Sequence, residues 1–224
     1  MADTSTPNTP IRIDFVSDVA CPWCAVGLGG LERALEQLQG NVPVELHFQP
    51  FELNPQMPPE GEDVTEHIGR KYGSTPAQQE ASRAAIRERG AAVGFAFNPA
   101  GRGRIWNTFD AHRLLYWAGE QGRQRELKHA LLKAYHGEAL NPGDPAVLLA
   151  CAVEAGLDAD GARTVIESDR YTEEVREREQ FYQQHGITAV PSVILGERYL
   201  IQGGQPPEAY VEAIRQLARE RASA

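Results

Sequence analysis

Apolar and polar residues alternate over Ile11-Arg12-Ile13-Asp14-Phe15-Val16-Ser17, and this period of two, rich in β-branched and aromatic side chains, predicts a strand. Over residues 25–38 the spacing changes. Val26, Leu31, Ala34, Leu35 and Leu38 recur near helical intervals, and Pro22 suits the first turn of that helix because its missing N–H would have had no helical partner. Gly27, Gly29 and Gly30 weaken this helix. A second strand pattern, Val44, Leu46 and Phe48 within residues 42–51, ends at Pro50. The chain thus opens as β–α–β.

A proline-rich turn at 55–59 marks a boundary. Beyond it the pattern is helical for about a hundred residues, in pieces near 63–72, 76–93, 107–120, 123–136, 145–155 and 160–167. Gly94-Phe95 and residues 99–104 interrupt them. The pattern then changes again: a charged amphipathic helix over 171–185, strands at Ser192–Leu195 and Tyr199–Gln202 joined by Gly196-Glu197-Arg198, and a last helix over 207–221. A β–α–β unit, a helical block and an α–β–β–α unit make an α/β protein, a thioredoxin fold interrupted by a large all-helical insertion. The division read from these patterns is a flexible tail at 1–10, a thioredoxin-like domain at 11–55 plus 171–224, and a helical insertion domain at 56–170.

Composition narrows the function classes. With 224 residues, 42% apolar and 24% charged, the chain suits a soluble globular protein. Its formal charge of −9 argues against nucleic acid or an anionic membrane as partner, since those reward basic surfaces. No apolar run approaches the roughly 18–20 residues of a membrane helix. The polar opening with Asp3 lacks the basic start and apolar stretch of a secretory signal, so a cytoplasmic location is expected if Met1 is the native start. The three cysteines are too few for a disulfide framework in a reducing compartment. Cys151, in an apolar helical run, reads as a small buried hydrophobe.

Cys21 and Cys24 are different. Cys21-Pro22-Trp23-Cys24 falls between a predicted strand and a predicted helix, the setting of a redox pair. Thiol–disulfide exchange needs one thiolate to attack and a second thiol to resolve the mixed disulfide. At a helix start the unpaired N–H groups and the dipole favour negative charge, so a first cysteine there ionises below the free value of about 8.5. Cys21 is accordingly the expected nucleophile and Cys24 the resolving thiol. The competing readings are half of a structural zinc site, for which no second ligand pair exists, and an inert core pair. His47, His67, His129, His136 and His185 show no metal-ligand spacing and read as surface or packing residues, so no metal is expected. Val190-Pro191 precedes the strand Ser192–Leu195; X–Pro bonds are the ones that tolerate cis geometry, and the sequence leaves the isomer open.

Several segments resemble the DsbA-like oxidoreductases of the FrnE type. They are Ser17-Asp18-Val19-Ala20-Cys21-Pro22-Trp23-Cys24, Phe51-Glu52-Leu53-Asn54-Pro55, Asn107-Thr108, Ala111-His112-Arg113-Leu114, Gly186-Ile187-Thr188-Ala189-Val190-Pro191-Ser192 and Gly203-Gly204-Gln205-Pro206. The matches run in order from about residue 11 to 215. The resemblance implies a DsbA-like thioredoxin fold with a helical insertion, a cis Pro191 facing Cys21, and backbone at Val190 that pairs with a substrate polypeptide beside the sulfur. Related proteins include 2-hydroxychromene-2-carboxylate isomerases and kappa-class glutathione transferases, which use bound glutathione. Ala25 and Leu28 stand where the family often has an aromatic residue and a lysine. Some members carry a further cysteine pair near the C-terminus, and this chain has none there, so an external redox partner is expected to recycle the dithiol.

The supporting residues carry open alternatives. His112, on an insertion helix that would cap the site, either binds substrate or trades protons there, or is satisfied within the domain interface. Asn107 reads as a helix cap in preference to a substrate ligand. Asp18 assists proton transfer, caps the motif helix or sits in solvent. Trp23 either shapes an apolar contact surface with Pro22 around the sulfur or fills space. The leading function is a thiol–disulfide oxidoreductase acting on disulfide-containing or dithiol proteins or small thiols, with no cofactor required and glutathione a candidate co-substrate. The alternatives are a glutathione-dependent isomerase or transferase of an aromatic or polyketide-like small molecule, and a redox-silent partner-binding module.

Overall fold

A computed structural model describes residues 9–223, so most of the tail assigned to 1–10 lies outside the described residues. In chain order the elements are β1 (Ile11–Ser17), α1 (Pro22–Leu38), β2 (Val44–Pro50), β3 (Glu62–Asp63), α2 (Val64–Tyr72), α3 (Pro76–Ala92), β4 (Arg104–Ile105), α4 (Phe109–Glu120) and α5 (Gln124–Leu132). A π-helical turn (Lys133–Gly137) continues α5, followed by α6 (Pro145–Glu154), α7 (Ala159–Ile166), α8 (Thr172–Gln184), β5 (Ser192–Leu195), β6 (Tyr199–Gln202) and α9 (Pro207–Ala222).

Four strands form one sheet in the order β2-β1-β5-β6, with β2 parallel to β1 and both β5 and β6 antiparallel to their neighbours. Phe15 on β1 stands opposite Phe48 on one side and Val193 on the other. β1 is buried on both faces because helices cover both. Ile11, Ile13 and Phe15 pack with Leu28 and Leu31 of α1 and Tyr210, Ile214 and Leu217 of α9. Val16, on the opposite face, packs with Phe51, Tyr182 and Ile187. The α/β thioredoxin fold expected from the alternating segments is present.

Between β2 and α8 the chain builds a second, mainly helical core from Leu114, Leu127, Leu131, Leu148, Ala152 and Val165. Four of its helices begin where side chains take free N–H groups of the first turn. Asp63 caps α2, Asp144 caps α6 and Asp158 caps α7. Thr75 and Gln78 cap α3 reciprocally. Two features depart from an all-helical insertion. β3 and β4 pair as a two-residue antiparallel ribbon, too short to show a period of two in the sequence. The helix expected over 123–136 gives way at Lys133 to the π turn, which brings His136 Nε2 within 2.9 Å of the Val19 carbonyl.

The glycines of α1 now have a cause. A Cβ at Gly27 would stand 2.9 Å from Pro191 Cγ, and one at Gly30 would stand 2.6 Å from the Gln205 carbonyl oxygen. At Gly29 it would meet Val93, just beyond α3, at 2.8 Å. The loss of helix propensity is the cost of letting α1 press against Pro191 and the Gly203-Gly204-Gln205 turn.

Candidate active site

β1 ends at Ser17 and the chain turns through Asp18-Val19-Ala20 into α1 with Cys21 as the N-cap residue. Pro22 occupies the first helical turn, and no side chain caps the helix, which leaves its first N–H groups to face the Cys21 sulfur. Val19 and Ala20 pack into the insertion core while Cys21 and Cys24 pack into the sheet core, so the motif straddles the two. All three cysteines are free thiols, and Cys21 keeps 4% of its surface exposed.

The two thiols are driven apart. A hydrogen bond from the Cys24 thiol lowers the Cys21 pKa; burial opposes it, and the backbone N–H groups of Cys24 and Trp23 reinforce it. The Asp18 charge acts against the thiolate as well. Cys24 is pushed well above an ordinary thiol, first by burial and then by the bond and charge it shares with Cys21. This is the split that distinguishes an attacking thiolate from a resolving thiol. Opposite them the Val190–Pro191 bond is cis, and Cys21 Sγ lies 3.5 Å from the Val190 carbonyl, to which it donates. The position the resemblance gave to Val190 and Pro191 is the one they occupy.

Beneath the motif lies a floor of buried polar groups. Asp18 is wholly buried, which rules out the solvent alternative. It accepts from Ala20 N–H at 2.9 Å, Leu53 N–H at 2.7 Å and the Thr108 hydroxyl at 2.8 Å. Burial works against its charge, but His112 beside it and the Leu53 and Ala20 N–H groups together hold the carboxylate below the usual range. Asp18 therefore caps the loop itself and tethers it to β2's outlet and to the start of α4. His112 is also buried, with Nε2 3.5 Å from Asp18 Oδ1, longer than a good hydrogen bond. Asn107 Oδ1 accepts from Phe109 N–H at 2.8 Å, but the N-cap position of α4 belongs to Thr108, so Asn107 braces the turn one residue ahead of the cap expected of it. Arg176 bridges Glu52 and Glu179 and lies 3.7 Å over the Phe109 ring, which locks Phe51-Glu52-Leu53 against α4 and α8.

Two contributors come from the insertion unannounced. Lys128 on α5 has 1% of its surface exposed. Burial lowers its pKa, and the charges of Cys24, Asp18 and Cys21 draw it back up. In return its ammonium pulls the Cys24 pKa down. A lysine next to Leu127 on an amphipathic helix reads as solvated. The available signal was that Lys128 shares the buried stripe of Leu127, Ala130, Leu131 and Leu132. Arg102 donates to the Ala20 carbonyl and lies 5.1 Å from the Tyr135 ring. The cation that the first helix lacks at Leu28 is thus supplied from across the interface. Trp23 is half-buried against the sheet core, with the Arg89 guanidinium 6.0 Å from its ring.

Cys151 lies apart in the insertion core, where burial pushes its thiol up to about 11. His136, read from sequence as a surface or packing residue, is a packing one: buried, held near a pKa of about 3 by burial and by Arg102, it is a neutral donor to Val19. Among the described residues no three His, Cys, Asp or Glu side chains cluster as a metal site, and no helix is long and apolar enough to cross a membrane.

Comparison with known proteins returns the same architecture. A family model described as a DSBA-like thioredoxin domain matches residues 12–215. The structure of a probable DsbA oxidoreductase from Streptomyces coelicolor is 33% identical, covers 92% of this chain and 89% of its own, and superposes with a TM-score of 0.84. The uncharacterised protein YwbO of Bacillus subtilis is 27% identical over 205 residues, 91% of this chain and 96% of its own length. A 2-hydroxychromene-2-carboxylate isomerase, 16% identical, shares the fold with a TM-score of 0.69 over 95% of this chain and 98% of that one.

Proposed function

Since the chain belongs to the DSBA-like thioredoxin-domain family, we propose that it is a thiol–disulfide oxidoreductase with Cys21 as nucleophile and Cys24 as resolving thiol. The observation that carries this reading is the opposed ionisation of the two sulfurs at the start of α1, with Cys21 Sγ turned to the Val190 carbonyl beside cis Pro191.

In the reducing direction the Cys21 thiolate attacks one sulfur of a substrate disulfide. A Cys21–substrate disulfide forms and the other substrate sulfur leaves as a thiolate. Cys24 then loses its proton and attacks Cys21 Sγ. The Cys21–Cys24 disulfide forms, and the substrate departs with both sulfurs reduced, having taken two electrons. The oxidising direction is the reverse. Lys128 is the charge that favours Cys24 as thiolate at the moment it must attack, and its lowered pKa suits it to exchange a proton. Asp18, with its oxygens already engaged, organises the loop and is not the proton acceptor. Val190 offers backbone to a polypeptide lying along the mouth. Three free thiols suit a reducing compartment such as the cytoplasm, where an external thiol or disulfide partner, glutathione among the candidates, restores the dithiol.

Insulin reduction driven by dithiothreitol tests the reading. Wild type is expected to turn over, Cys21→Ser to lose all activity, and Cys24→Ser to accumulate a mixed disulfide visible by mass spectrometry. Full activity in Cys21→Ser sinks it. Saturable glutathione binding that survives Cys24→Ser, without insulin reduction, transfers the site to glutathione-dependent isomerisation.

A further inference from the structure

The chain carries a formal charge of −9, yet three cations stand about the turn that carries Cys21 and the exposed Tyr72 ring beside it. Arg102 is fixed there by its bond to the Ala20 carbonyl and its approach to Tyr135. That bond uses one of the guanidinium's five donors. Arg89 lies over Trp23, the residue between the cysteines. Lys71, at the end of α2, donates to the Leu53 carbonyl at 2.7 Å and to Asn54 Oδ1 at 2.8 Å. Its neighbour Tyr72 is 62% exposed, and the charges of Cys21 and Arg102 both reach its hydroxyl.

None of Lys71, Arg89 and Arg102 forms an ion pair with a carboxylate among the described residues. Their neighbours on the same helices do. Arg70, one residue before Lys71, pairs with Glu62, while Arg83 and Arg87, on α3 with Arg89, pair with Glu80. Lys71, Arg89 and Arg102 are therefore among the cations that no carboxylate pairs directly, although the buried Asp18 charge reaches Lys71. They come from three separate elements (α2, α3 and the loop before β4) and flank an exposed aromatic ring. This arrangement fits an extended chain better than a compact thiol.

We propose that the mouth around Cys21 is a docking surface for polypeptides whose disulfide is flanked by acidic residues, with Arg102 as the fixed anchor and Lys71 and Arg89 as the outer contacts. The proposal rests on Cys21 being the attacking thiol. Complementary charge raises the encounter rate and selects partners, and salt weakens it where the groups are exposed.

The test compares two synthetic peptides with the same internal disulfide, one flanked by Glu and one by Lys, at low ionic strength. The expected result is a kcat/KM about 10-fold higher for the acidic peptide. That preference should shrink toward unity in added salt and in Arg89→Gln and Lys71→Gln, while the basic peptide holds its rate or gains. Equal rates, or a preference for the basic peptide, with insulin reduction intact would overturn the docking surface alone. So would an acidic preference that the substitutions leave unchanged. Glutathione disulfide turned over faster than the acidic peptide would show a small-thiol site instead. Failure to reduce either peptide or insulin would remove the oxidoreductase reading together with this one.

Discussion

The sheet half and the insertion meet at the dithiol with opposite chemistry. From the sheet side, Cys24 is surrounded by Phe15, Leu28, Leu31, Val193 and Tyr210, an apolar wall in which a thiol is hard to ionise. From the insertion side come Lys128, His112, Thr108, Arg102 and His136, all polar and mostly buried. One region holds the two sulfurs at a helix start, where burial, their mutual bond and the first N–H groups of α1 split their ionisation, and the other adds the Lys128 charge beside Cys24. A fold that buried Cys24 in apolar surroundings alone would hold the resolving thiol inert. Lys128, reached from the second core, offsets part of that burial, and a buried cation weakens the folded state.

Substitutions can break that contrast from either side, and the largest effect belongs to the apolar wall. Leu31→Ala removes a fully buried side chain and should cost about 2–5 kcal/mol, read from denaturant unfolding. Lys128→Met should act the other way on stability, leaving it unchanged or raising it by as much as about 4 kcal/mol. The pH dependence gives the sign. A lysine whose folded pKa lies below its free value binds its proton more weakly in the folded state, so the penalty is full at low pH and fades as pH rises toward the free value. The Met variant should lose that rise. It should also raise the Cys24 pKa further: about one pKa unit is about 1.4 kcal/mol against the Cys24 thiolate, read as slower resolution of a Cys21 mixed disulfide. An unchanged resolution rate would remove Lys128 from the chemistry and leave it a structural oddity.

His136 should govern the acid limb. Its folded pKa of about 3 lies below the free 6.5, so its contribution is present above 6.5 and drains away as pH falls toward 3, at a slope of up to about 1.4 kcal/mol per pH unit. His136→Asn should flatten the acid limb of an unfolding curve measured across that range. The smallest effect is expected at Asn107, where Ala should cost about 1 kcal/mol through the lost bond to the first N–H of α4 and leave the thiol ionisation alone.

The same contrast explains what could be read from the sequence. β1, β5 and β6 have the bounds expected from the sequence, because short runs rich in β-branched and aromatic residues, bounded by turn residues, mark strands even where both faces are covered. The helix start at Pro22 was legible for the same kind of local reason. Cys21, Cys24 and Pro191 stood out in the sequence by residue type and order, and the fold brings the cis Val190–Pro191 bond to the Cys21 sulfur. Lys128 and Arg102 were not, since a cation on a polar-flanked helix or in a Gly-rich loop looks solvated until a second core closes over it. Gly27 and Gly30 looked like weak helix for want of Pro191 and Gln205, more than 160 residues away in the chain. Asp18 offered three readings because its partners, Leu53 and Thr108, lie 35 and 90 residues further along the chain.

The most direct measurement is the pH titration of thiolate absorbance in the reduced protein and in Cys21→Ser. The account predicts a thiolate in the wild type that appears below the free value of about 8.5, and its loss in Cys21→Ser, where the remaining Cys24 ionises only well above it. A wild-type thiolate at or above the free value, or a low one that persists without Cys21, would contradict the assignment of Cys21 as the nucleophile.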